Sequence, residues 1–147
     1  MIPMLSRGHW TLYVVNTVKR CIHILDSNPY GPKLGGSTWK DYHFAQMDFG
    51  GRKLPWSKVI MSRLNKALQH VRPRSCFPKF GNFAIDLSPN CPTMEAGSND
   101  CGFYVMGYIL FYDCVEGSLR SDIEAVRTNL SVNFIVGPNQ HMVHMYI

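Results

Sequence analysis

Two runs of β-branched and aromatic residues stand four residues apart: His9-Trp10-Thr11-Leu12-Tyr13-Val14-Val15-Asn16 and Cys21-Ile22-His23-Ile24-Leu25. Such side chains suit a pleated, half-buried surface, so both runs read as strands. The segment from Asn16 to Arg20 is a hairpin-like connection, which makes the pair antiparallel. Asp26-Ser27-Asn28-Pro29-Tyr30-Gly31-Pro32 then closes the second run in turn chemistry. From Trp56 to Val71 the period changes. Trp56, Val59, Ile60, Leu64, Ala67, Leu68 and Val71 recur at three- and four-residue steps with Lys58, Arg63 and Lys66 outward, which predicts an amphipathic helix stopped by Pro73.

The remaining stretches carry less pattern. Leu34 to Pro55 is rich in glycine and polar residues and reads as loop, with a short strand near Tyr42-His43-Phe44. Asn82 to Leu87 reads as a strand, and a further helix is expected from Ser118 or Asp122 to Leu130, with Ile123, Val126 and Leu130 on one face. There are no internal repeats or low-complexity tracts, so residues 1–147 are read as a single α+β domain.

Hydrophobic residues at 46% and charged residues at 17% exclude a disordered chain. The net charge of +5 would suit an acidic partner. However, Lys40, Lys53, Lys58, Arg63, Lys66, Arg72, Arg74 and Lys79 are scattered among apolar residues without a recognised binding motif, so they are read as a solvated basic face and a nucleic-acid partner is not expected. Cys21, Cys76, Cys91, Cys101 and Cys114 make an odd number with no C-x-x-C pair, a usage that suits a reducing compartment. Met1 to Arg7 lacks the pattern of a signal peptide, and the apolar stretch at residues 103–112 is interrupted by Gly107 and falls short of the roughly 18 residues of a membrane span. Nucleus or cytoplasm, without membrane attachment, is the expected location.

Chemistry concentrates at Gly97-Ser98-Asn99-Asp100-Cys101-Gly102-Phe103-Tyr104-Val105. Turn and N-cap residues lead into an apolar helix, with Cys101 at its first position, where free N–H groups and the helix dipole favour thiolate and neighbouring Asp100 opposes it. A cysteine nucleophile needs a base, usually a histidine oriented by a third polar group. His9 opens the first strand and Asp26 follows the second, an arrangement in which a hairpin can bring the two together. Asp26 would then hold one ring nitrogen and leave the other to face the thiol. His23, His43 and His70 carry weaker cases. His141 and His144 have an acceptable ligand spacing but no paired cysteines or carboxylate-rich stretch beside them, and no metal or other cofactor is expected.

In order and wording, Gly8-His9-Trp10, Ile24-Leu25-Asp26-Ser27 and the segment from Gly97 to Val105 resemble the catalytic region of the ubiquitin-like-protein-specific cysteine proteases. These are the SUMO-deconjugating enzymes and their adenovirus-protease relatives, and the likeness is nearest to plant members carried by transposable elements. It covers residues 8–112. It implies a papain-like or adenovirus-protease-like fold, a small mixed sheet flanked by helices. It also implies His9 as base, Asp26 as its orienting carboxylate, Cys101 as nucleophile, and Trp10 lining a channel for the substrate's terminal Gly-Gly. The implied substrate is a SUMO-type ubiquitin-like modifier or its conjugates.

Two departures accompany the resemblance. Where the family has an oxyanion-hole glutamine, six or seven residues before the cysteine, this chain has Glu95 and Met94. Methionine has no donor, and an ionised glutamate repels an oxyanion. Only eight residues precede His9, where the family has a sizeable segment. The expectation is a C-terminal portion of such a domain, its N-terminal part missing, with apolar surface exposed.

Overall fold

In a computed structural model, the structure describes residues 1–71, 79–88 and 90–119. In chain order the elements are β1 (Ile2–Ser6), β2 (His9–Asn16), β3 (Cys21–Leu25), α1 (Trp39–His43), β4 (Gln46–Asp48), β5 (Lys53–Pro55), α2 (Trp56–Val71), β6 (Ala84–Leu87), α3 (Cys101–Phe111), β7 (Tyr112–Asp113) and β8 (Ser118–Leu119). The main sheet has the order β1-β2-β3-β6. Its first three strands are antiparallel and β6 adds parallel to β3, so the sheet is mixed.

The expected hairpin forms, with Leu12 opposite Leu25 and Asn16 opposite Cys21. β1 was not expected. It joins β2 through Arg7-Gly8, both with positive φ (51° and 76°), and pairs Ser6 with His9. Positive φ at both central residues matches the twist of a two-residue hairpin turn. That turn sets the register of His9.

Strand alternation sorts β2 and β3 between two cores. Leu12, Val14 and Leu25 face one side and pack with Met94, Cys101, Tyr104, Val105 and Tyr108, so α3 covers that face. Tyr13, Ile22 and Ile24 face the other side and pack with Trp56, Met61, Phe80, Phe83 and Ile85, which brings in α2. The result is an α+β fold whose small mixed sheet is flanked by helices.

The loop expected between Leu34 and Pro55 is structured instead. α1 starts at a reciprocal cap, in which Thr38 Oγ1 accepts from the Asp41 N–H and Asp41 Oδ2 accepts from the Thr38 N–H. A small β4–β5 hairpin follows. Tyr42 and His43 are therefore helical, because a capping box can start a helix too short to show periodicity. Ser118–Leu119 pairs with β7 as a strand, and the rest of the helix expected up to Leu130 lies outside the described residues, as do His141 and His144. Among the described residues no helix is long and apolar enough to cross a membrane.

Candidate active site

Asp26 is the centre of the site. It lies one residue past β3 and is 2% exposed, so its charge has to be matched by hydrogen bonds. Four donors do so. His9 Nε2 at 2.7 Å and the Asn28 N–H at 2.9 Å reach Oδ1, while His43 Nε2 at 2.7 Å and the Tyr30 hydroxyl reach Oδ2. Burial pushes the Asp26 carboxyl up, but the bonds from His43, His9, Tyr30 and Asn28 outweigh it and hold the group well below the usual carboxylate range. The backbone here is pinned as well: the Met94 N–H donates to the Ser27 carbonyl at 2.8 Å, and the Cys91 thiol donates to the Asp26 carbonyl at 3.5 Å. Burial pushes the Cys91 thiol up to about 11, so it stays protonated as a donor at neutral pH.

An ionised carboxylate only accepts, so the His9 proton in this bond sits on Nε2 and Nδ1 is left without one in the neutral ring. His9 is buried and packs edge-on against Tyr42, with ring centroids 6.2 Å apart. The same histidine borders an open cleft of about 450 Å³ whose walls include Arg7, Asn28, Tyr30, Asp41 and Tyr42.

Cys101 is the first residue of α3, as its sequence context predicts, and is 7% exposed. Asp100 occupies the cap position without a side-chain cap bond, and its carbonyl takes the N–H groups of Phe103 and Tyr104. The N–H groups of Cys101 and Gly102 stand outside the intrahelical ladder, as at any helix start. After α3, Tyr112 bonds His23 and Asn16, which belong to the far end of β2 and β3. The helix therefore starts at the His9–Asp26 end of the sheet. There Cys101 belongs to the buried cluster of Leu12 and Leu25.

The two halves of the candidate site meet the sheet from different faces. Alternation puts His9 on the Tyr13 face, whereas Cys101 packs with Leu12 and Leu25 on the other. Among the described residues Cys101 makes no hydrogen bond to His9; the cysteine–histidine bond there is Cys21 Sγ to His23 Nε2, 3.1 Å, at the opposite end of the sheet. Tyr42 packs edge-on against His9. Its phenol is raised by burial first and by Asp26 next, and a thiolate at Cys101 acts in the same direction.

Of the sequence-predicted residues, His9 and Asp26 are brought into direct contact. Trp10 is 39% exposed and shares the Leu12 face, the side on which Cys101 packs. Met94 is buried in the Cys101 cluster, whereas Glu95 is exposed. Sequence reasoning passed over His43, Tyr30 and Tyr13. Tyr30 reaches Asp26 directly from the turn after β3, whereas His43, and Tyr13 through it, depend on α1, whose sequence signal is Thr38 followed three residues later by Asp41. No protein-family model, curated protein or solved structure matches this chain.

Proposed function

We propose that the chain is a cysteine-type peptidase domain of the papain-like, adenovirus-protease-like kind, acting after the terminal Gly-Gly of a SUMO-type ubiquitin-like modifier. The observation that carries this reading is the buried 2.7 Å bond between His9 and Asp26, which orients an imidazole at the sheet end where α3 begins with Cys101. The family resemblance of the segments around these three residues supplies the substrate class. In this reading His9 Nδ1 takes the Cys101 proton, and Sγ attacks the carbonyl carbon of the last glycine. The C–N bond then breaks, with His9 returning the proton to the leaving amine. Water, deprotonated by His9, releases the thioester as a carboxylate. Trp10 borders the channel for the glycines. For the first step Cys101 Sγ and His9 Nδ1 have to come within hydrogen-bond reach.

Met94 favours a second reading. It is buried beside Cys101 and offers no donor to an oxyanion, and loss of one such donor typically costs about 10²–10³ in turnover. A protease-like module that binds the modifier without cleaving it fits that observation. The deciding experiment is labelling of the folded chain by a ubiquitin-like probe with a C-terminal electrophile. Adduct at Cys101, lost in Cys101→Ser and slowed in His9→Ala, is the expected result. Saturable binding of the unmodified modifier with no adduct at Cys101 favours the second reading.

A further inference from the structure

Behind the His9–Asp26 pair stands a second, fully buried histidine. His43 Nε2 reaches Asp26 Oδ2 at 2.7 Å, and its Nδ1 meets the Tyr13 hydroxyl at 2.7 Å. The ring stacks on Trp56 at the start of α2, with centroids 6.1 Å apart, and the Trp56 indole N–H in turn donates to the Tyr42 carbonyl at 2.8 Å. Both ring nitrogens are engaged and the side chain is wholly shielded, so His43 cannot itself touch a substrate.

The proton positions along this chain follow from donor and acceptor chemistry. Asp26 is an anion and accepts only, so His43 carries its proton on Nε2. Nδ1 is then an acceptor, which the buried, protonated Tyr13 hydroxyl satisfies. The series runs Tyr13 O–H to His43 Nδ1, His43 Nε2–H to Asp26 Oδ2, and His9 Nε2–H to Asp26 Oδ1. The two inner members, His43 and Asp26, are each bonded on both sides.

We propose that His43 is a positioning residue for His9. Backed by Tyr13, it clamps the Asp26 carboxylate so that Oδ1 keeps the His9 proton on Nε2 and leaves Nδ1 as the basic nitrogen. Without that clamp Oδ2 keeps only the Tyr30 hydroxyl and Oδ1 the Asn28 N–H beside His9, so the carboxylate turns more freely about its own bond and holds the His9 tautomer less firmly. The charged and titratable groups around His9 are Asp26, Tyr42 from α1, Tyr30, and Arg7 and Asp41 across the open cleft. Among the described residues only Asp26 bonds the His9 ring, so the clamp acts through Asp26 alone. The importance of this clamp for chemistry rests on the reading of His9 as the base for Cys101.

The test uses the full chain and reads the ring nitrogens by ¹⁵N NMR, together with the rate at which iodoacetamide modifies Cys101. Wild-type His9 is expected as the Nε2–H tautomer. His43→Leu is expected to give a mixture of His9 tautomers, a shifted titration midpoint, and Cys101 modification at pH 7 slower by about tenfold, the lower end of what loss of an orienting partner costs. His43→Gln, whose amide can donate to Asp26 and whose carbonyl can accept from Tyr13, is expected to restore both. An unchanged His9 tautomer and midpoint in His43→Leu, or His43→Gln as damaging as His43→Leu, overturns the proposal. Should His43→Leu not fold, Tyr13→Phe decides. It leaves the His43 ring bonded to Asp26 alone and is expected to loosen the His9 tautomer, and an unchanged His9 ring overturns the clamp. A wild-type Cys101 inert to iodoacetamide removes the peptidase reading and leaves the ring-nitrogen result standing, so the two failures are separable.

Discussion

At the scale of single residues, Asp26 shows how a buried charge is kept ionised inside a small domain. Two oxygens meet four donors, so each lone-pair direction of the carboxylate is used. Asparagine at this position offers one oxygen and turns an amide group toward donors that have nothing to accept. Asp26→Asn is therefore expected to cost about 3 kcal/mol of stability in urea unfolding at pH 7, the usual penalty for breaking a buried ionic network from one side. The acid limb provides a second check. Because the folded carboxyl titrates below the roughly 3.9 of an unfolded aspartate, the unfolded chain takes up that proton first as pH falls. The contribution of Asp26 is thus fully present above about pH 4 and is lost progressively below it. Between pH 5 and pH 2 the wild-type urea midpoint should fall further than that of Asp26→Asn.

At the scale of elements, α1 shows where the sequence was readable and where it was not. β2 and β3 were legible from their β-branched and aromatic runs and the turn residues that bound them, and α2 from its three- and four-residue apolar steps. The start of α3 was legible from the polar turn ahead of Cys101. α1 has only five residues, too few to repeat a pattern, and its capping signal uses Asp41 in place of the more familiar glutamate or glutamine. The His9–Asp26 contact could be foreseen because both residues flank one hairpin, whereas His43 reaches Asp26 only after the chain has left the sheet and returned. The missing half of the cradle was therefore a tertiary fact. Since α1 carries both Tyr42 and His43, its cap supports the site from a distance. Thr38→Ala is expected to remove about 1 kcal/mol, the ordinary worth of a side-chain N-cap. Amide exchange at Tyr42 and His43 should speed up about fivefold, with the amides of β2 and β3 unchanged, as measured by native-state hydrogen exchange.

At the scale of the whole molecule, β2 and β3 are shared between two cores. Tyr13, Ile22 and Ile24 belong to the α2 side, while Leu12, Val14 and Leu25 belong to the α3 side, and every one of these residues is buried. Neither core can be lost without exposing the reverse face of the same strands, so the two should melt together. The candidate site lies at the end of those strands, with His9 and Asp26 tied to the α2 side through His43 and Trp56, and Cys101 tied to the α3 side. Its two halves thus depend on packing that is remote from both. Met61, 1% exposed in the middle of α2, provides the test: Met61→Ala removes buried thioether volume that α2 cannot refill, for a loss of about 2–5 kcal/mol. If the cores are coupled, the indole N–H signal of Trp56 and the amide signals of Tyr104 to Tyr108 on the opposite face should shift to the same lower urea midpoint. An α3 midpoint that stays at its wild-type value while Trp56 melts early would mean that the sheet carries two independent layers, and that the halves of the site can separate without the chain unfolding.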